Sequence, residues 1–140
     1  MTSPVTNEER LMGALAHGSV VLSGPGILVG VLIWITQRER SAYASGQGLQ
    51  AAVYQLLGSV LIAVLWTLWG VFYALTMIPI IREPERYSAA PPPIFWAGMI
   101  AMVVPLLVMV LWGLYGLWAA LRCLGGRDFR YAVIGKRLPG

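Results

Sequence analysis

The sequence predicts an all-α integral membrane protein, a bundle of three membrane-spanning helices in one domain over residues 1–140. Three observations carry this expectation. Hydrophobic residues make up 58% of the chain and charged residues 11%, against about 25% charged in a soluble domain. Three stretches, Leu11–Ile35, Leu49–Ile81 and Ile94–Leu121, contain no Asp, Glu, Lys or Arg, and each exceeds the roughly 20 helical residues that cross about 30 Å of hydrocarbon. The basic residues border these stretches instead of covering a solvated face, which suits anionic headgroups better than nucleic acid.

The segment before the first stretch carries Glu8 and Glu9 ahead of its only arginine, Arg10. It lacks the basic start and small-residue cleavage pattern of a signal peptide, so the first stretch is expected to remain in the mature protein. Gly24, Pro25 and Gly26 interrupt that stretch. Proline removes a backbone donor, and the break allows two geometries, a kinked single crossing or a re-entrant hairpin. The kinked crossing, over about residues 11–35, is the expectation, because neighbouring helices can satisfy the freed carbonyls. A hairpin would instead place the N-terminus on the side of the first loop.

The second stretch, at 33 residues, would reach about 50 Å as one helix. Its beginning is therefore expected to be a separate amphipathic helix at the interface, about residues 41–55, followed by a span over 56–81. The loop Arg82–Pro93, with Pro84 and the run Pro91–Pro93, reads as stiff and extended. A third span over 94–121, bent at Pro105, leads into a C-terminal segment, 122–140. With three crossings, Arg38, Arg40, Arg122, Arg127, Arg130, Lys136 and Arg137 share one side and Arg10, Arg82 and Arg86 the other. Seven against three places the C-terminus in the cytoplasm and the N-terminus outside, in a bacterial cytoplasmic membrane.

Close packing of small residues holds membrane helices together. Gly13, His17, Gly24, Gly26 and Gly30 mark such a face on the first span, and Gln55, Ser59, Ala63, Trp66, Gly70 and Tyr73 on the second. Gly98, Ala101, Pro105, Gly113, Gly116 and Ala120 mark it on the third. Arg38 and Arg40, with Arg127, Phe129, Arg130, Tyr131, Lys136 and Arg137, read as contacts to acidic headgroups or a partner, the two rings inserting at headgroup depth.

One cysteine, Cys123, and one histidine, His17, exclude an internal disulfide and a four-ligand zinc site within one chain. An ionisable residue inside a span is a functional candidate. For His17 the expectation is a neutral side chain hydrogen-bonded to Ser, Gln or Tyr of another span. Axial ligation of a haem or chlorin and a place in a proton path are the alternatives.

Leu15-Ala16-His17-Gly18-Ser19 is similar to the opening Leu-Ala-His-Leu-Ser of a bacterial family of small three-span proteins of unknown function, related to the channel-like subunit of the chloroplast Tic translocon. Gln37-Arg38-Glu39-Arg40-Ser41-Ala42-Tyr43 resembles that family's first turn, and Gln50-Ala51 with Tyr54-Gln55 its following helix. Gly126-Arg127-Asp128-Phe129-Arg130-Tyr131-Ala132-Val133-Ile134 resembles its C-terminal end. Gln47 stands where that family usually has a histidine. The resemblance implies the three-span fold and a distant analogy to translocation.

No paired carboxylates, histidine with a neighbouring nucleophile or phosphate-binding glycine loop is legible. The expected function is therefore a non-catalytic accessory or scaffolding subunit, or a homo-oligomer, without a cofactor. Its partners would be anionic lipid and other membrane subunits or copies of itself. A pore or translocon element, with Gln55, Ser59, Thr67 and Thr76 as a thin polar series, is the alternative. Haem or pigment binding through His17 is the second alternative.

Overall fold

The computed structural model describes residues 4–132 together with Ile134 and Gly135. All regular structure among them is helical: α1 (Asn7–Gly18), a 3-10 turn (Ser19–Leu22), α2 (Gly24–Gln37), α3 (Ala42–Arg82), α4 (Pro93–Ala101) and α5 (Val103–Leu124). α3 and the stretch Pro93–Leu124 are long and apolar enough to cross a membrane, whereas α2 is a shorter apolar helix. The chain forms two compact units, Met1–Ser59 with Leu111–Gly140, and Val60–Val110.

The first apolar stretch is not a kinked crossing. α1 starts on a capping box, in which Thr6 Oγ1 accepts from Glu9 N–H and Glu9 Oε2 accepts from Thr6 N–H at 2.7 Å. It tightens into the 3-10 turn, and the chain reverses at Ser23, which has a φ of 56°. Pro25 then lies in the first turn of α2, where its missing N–H had no helical partner to lose, so it starts a helix and bends none. α2 returns along α3: Gly26 meets Gln55, and Gly30 meets Ala52 and Gly48. Ser41 Oγ donates to Glu9 Oε1. The two ends of the α1–α2 hairpin therefore lie together, which corrects the single kinked crossing.

No separate interfacial helix precedes the second span. Ser41 Oγ accepts from Ala44 N–H at 3.0 Å, and α3 then runs unbroken for 41 residues. Its first part stays helical because it is covered: Ala44, Gln47, Ala51, Tyr54 and Gln55 are buried. Pro79 sits within the last turn. After the loop, Pro93 opens α4, and the helix breaks at Met102. Pro105, three residues on, would clash with the carbonyl of Ala101 in an unbroken helix. The break puts it in the first turn of α5.

In the unit Val60–Val110, α3 and α4 meet through aromatic rings. Trp69 Nε1 donates to the Gly98 carbonyl at 3.0 Å, and the Trp69 ring stacks on Tyr73, with centroids 5.3 Å apart. Gly98 is buried beneath Tyr73 and Thr76.

Candidate functional site

The other unit has a polar centre inside an aromatic shell. Tyr54 stacks on Trp112 at 4.4 Å and on Tyr131 at 4.0 Å, both nearly parallel. Two parallel rings so close must occupy opposite faces of Tyr54. Its hydroxyl donates to the Trp112 carbonyl at 2.7 Å. Phe129 and Tyr131 meet the imidazole of His17 edge-on, with centroids 5.8 and 5.3 Å away.

His17, 1% exposed, is bonded at both ring nitrogens, Nδ1 to Tyr131 OH at 2.9 Å and Nε2 to Gln47 Oε1 at 2.8 Å. The rest of the network fixes the protons. Gln47 Nε2 donates to Asp128 Oδ1 at 2.8 Å, which turns Oε1 toward the histidine. An amide oxygen only accepts, so His17 Nε2 carries the hydrogen, and in the neutral imidazole Nδ1 then accepts from the tyrosine. The neutral imidazole is thus satisfied on both sides. No ring nitrogen remains for a metal, so the arrangement does not support the ligand role considered for His17. Cys123 Sγ also approaches Gln47 Oε1, at 3.4 Å. Arg130 Nε donates to Asp128 Oδ2 at 3.0 Å.

The chain from Tyr131 through His17 and Gln47 to Asp128 ties α1, α3 and the C-terminal segment together. Burial pushes the Tyr131 phenol above its ordinary range. At the hairpin's open end, hydrogen bonds from Ser41 and Thr6 hold the Glu9 carboxyl below its usual range. At the other end, Gln55 Nε2 donates to the Ala16 carbonyl at 3.0 Å and to Ser19 Oγ at 3.1 Å. Ser19 Oγ lies 2.7 Å from the Ala16 carbonyl and 3.0 Å from that of Gly26. The polar groups of this unit thus hold both ends of the hairpin.

The other residues singled out from sequence lie in different surroundings. Gly13 lies against Cys123 and Gln47, Gly116 against Val20, and Gly26, Gly30 and Gly98 in the close contacts given above. Nothing stands within 4 Å of a methyl group placed on Gly24, Gly70 or Gly113, and Ala63 is exposed. Ser59 and Ala101 are half-buried. Arg38, Arg40, Arg127 and Arg130 are exposed. Phe129 and Tyr131, expected at headgroup depth, are buried at 8% and 3% exposure. Their rings pack on the histidine and Tyr54, so they are unavailable to lipid. Lys136 and Arg137 lie outside the described residues.

The sequence pointed to His17 but not to Gln47 as its partner, nor to Asp128. The amides Gln47, Gln50 and Gln55, clustered at the start of an otherwise apolar helix, are the signal that could have found the first. Buried amides need hydrogen-bond partners.

A family model described as the MamF/MmsF magnetosome magnetite crystal formation protein family matches residues 8–138. The match covers nearly the whole chain, and the chain belongs to that family. It is a membrane protein involved in magnetosome magnetite crystal formation, and the family points to the magnetosome membrane. No curated protein and no solved structure matches the chain. The family assignment corrects the resemblance to the Tic-related family, whose quoted segments all lie within the matched range. Short runs at membrane boundaries answer to similar physical demands in unrelated proteins, such as headgroup-facing cations and interfacial rings, and so discriminate poorly.

Proposed function

We propose that this magnetosome protein works without catalysis, as a scaffold within a larger membrane assembly or an array of its own copies. One observation carries the reading: the groups best suited to chemistry, His17, Tyr131, Gln47 and Asp128, are consumed in bonds that join the hairpin to the C-terminal segment. The pore alternative gains nothing from its polar series. Gln55 is buried on the hairpin turn, while the Thr67 and Thr76 hydroxyls donate to their own helix, at the Ala63 and Tyr73 carbonyls.

In this reading α3 and the Pro93–Leu124 stretch are the two crossings, and both termini lie on one side. Arg10 then joins the seven cations of the first loop and tail, giving eight against Arg82 and Arg86. The larger positive set marks the cytoplasmic side. The exposed Arg38, Arg40, Arg127 and Arg130, together with Lys136 and Arg137, would face anionic headgroups there. A cytoplasm-active reporter fused at either terminus should be active, and one inserted at Ser88 should be silent. Opposite results at the two termini would restore a full crossing by the first stretch.

The loop after α3 then faces the compartment opposite the tail. Glu83, paired with Arg86 at 2.9 Å, and Glu85 are exposed there, and carboxylate oxygens suit hard, oxygen-coordinated cations. We assign this loop to the mineral side. In vesicles with the loop outward, the Glu83→Gln, Glu85→Gln variant should bind magnetite particles severalfold less than the parent. Undiminished binding would remove the loop from the proposal and leave the scaffold.

A further inference from the structure

The α1–α2 hairpin is too short to cross a membrane twice. α1 has 12 residues and α2 has 14, about 18 and 21 Å of helix. That is less than the roughly 30 Å hydrocarbon core and close to half of the roughly 40–45 Å that includes the headgroups. The open end is closed by Glu9 and Ser41, just before α3 begins. The turn lies against Gln55 of α3 and, through Val20, against Gly116 of α5. Measured along α3, Ala42 to Gln55 is about 20 Å. In the two-crossing arrangement the hairpin would enter from one side, stop near the depth of one leaflet and return.

Its outer surface is built for acyl chains. Leu11 and Leu15 on α1, and Leu28, Leu32 and Ile35 on α2, form stripes at helical spacing, and each is 49–64% exposed. Val21 in the turn is 66% exposed. The inner surface, by contrast, carries Gly13, Ala14, Ala16, Gly26 and Gly30, all buried. In the two-crossing arrangement such an apolar surface would be covered by lipid, because the helices the hairpin packs against would hold it at bilayer depth.

We propose that the hairpin is a one-leaflet wedge that makes this protein select, and at high density promote, membrane convex toward its terminal side. The physical basis is area. A crossing helix adds similar cross-section to both leaflets, but a re-entrant pair adds the cross-section of two helices, each about 10 Å across, to only one. A leaflet bent convexly has packing gaps that such an insertion fills, and apolar insertion of this kind is sensitive to curvature. The proposal rests on the two-crossing arrangement and is independent of the mineral-facing loop.

The test uses the full chain, tail-labelled, in vesicles of phosphatidylethanolamine and phosphatidylglycerol. Tail-outward molecules are counted per membrane area on small sonicated and large extruded vesicles. The parent should be enriched severalfold on the small vesicles. The Leu11→Ala, Leu15→Ala, Leu28→Ala, Leu32→Ala variant trims exposed side chains only, and should lose most of this enrichment with an unchanged near-ultraviolet circular dichroism spectrum. Equal density of the parent on both vesicle sizes would overturn the wedge. So would a four-leucine variant that keeps both the parent's spectrum and its enrichment. A Val21→Cys variant distinguishes the underlying topology, since Cys123 is fully buried. A membrane-impermeant maleimide should label it from neither side, whereas labelling from the side opposite the tail would overturn the two-crossing arrangement together with the wedge. Protection from both sides without a curvature response would overturn the wedge alone.

Discussion

Gly26→Ala should cost the protein about 3 kcal/mol or more and open the hairpin, a large effect for one methyl group. That methyl would lie 2.1 Å from the Ser19 carbonyl oxygen and 2.4 Å from Gln55 Oε1. A Cβ has no rotamer by which to escape, and one of its obstacles is backbone. The turn must separate from α2, which also breaks the contact of Ser19 Oγ with the Gly26 carbonyl. Thermal melting in detergent, with protease cleavage near Ser23 as a second readout, measures the loss. Gly24→Ala is the control, because its methyl meets nothing within 4 Å, and should change stability by less than about 0.5 kcal/mol. Equal stability of the two variants would refute the packing described at the turn.

The second large effect belongs to the histidine. His17→Leu orphans the buried Tyr131 hydroxyl, at about 1–3 kcal/mol, and leaves Gln47 Oε1 with only the weak Cys123 thiol as donor. Tyr131→Phe removes only the hydroxyl and keeps the stack on Tyr54, so it should cost less. The two changes should be strongly non-additive, since both break the same bond. Melting curves for the single and double variants provide the cycle. Strict additivity would mean that the 2.9 Å contact between His17 and Tyr131 contributes nothing to stability.

The two long apolar helices were legible because hydropathy and length are properties of a continuous segment. The hairpin was not legible in the same way. A 25-residue apolar stretch has the same composition whether its second half continues across the bilayer or turns back, and what decides is the contact of Gly26 and Gly30 with the helix that follows, which periodicity within the stretch does not reveal. A proline amid apolar residues, such as Pro25, has the same local signature whether it kinks one helix or starts another. Only the reversal at Ser23 makes it the first turn of a new helix. His17 stood out as a lone ionisable residue, yet its tyrosine partner lies 114 positions away, beyond the reach of any periodicity. Phe129 and Tyr131 were misplaced for a related reason. Rings alternating with arginines beside a membrane have the pattern of an interfacial anchor, and nothing local reveals that α1 has left a site for them to fill.

The unit containing the histidine is discontinuous in sequence, built from Met1–Ser59 and Leu111–Gly140 with Val60–Val110 between them. During synthesis its first half emerges long before its second. His17 and Gln47 must wait, in or beside the bilayer, until the entire intervening segment and the last helix have been made and Tyr131 and Asp128 leave the ribosome. Contacts so distant in sequence form late, after the closure entropy of the intervening chain has been overcome. The polar centre therefore closes only after every helix of its unit has been made. A polypeptide truncated before Asp128 retains every apolar helix but leaves His17 Nδ1 and Gln47 Nε2 without the partners they have in the full chain.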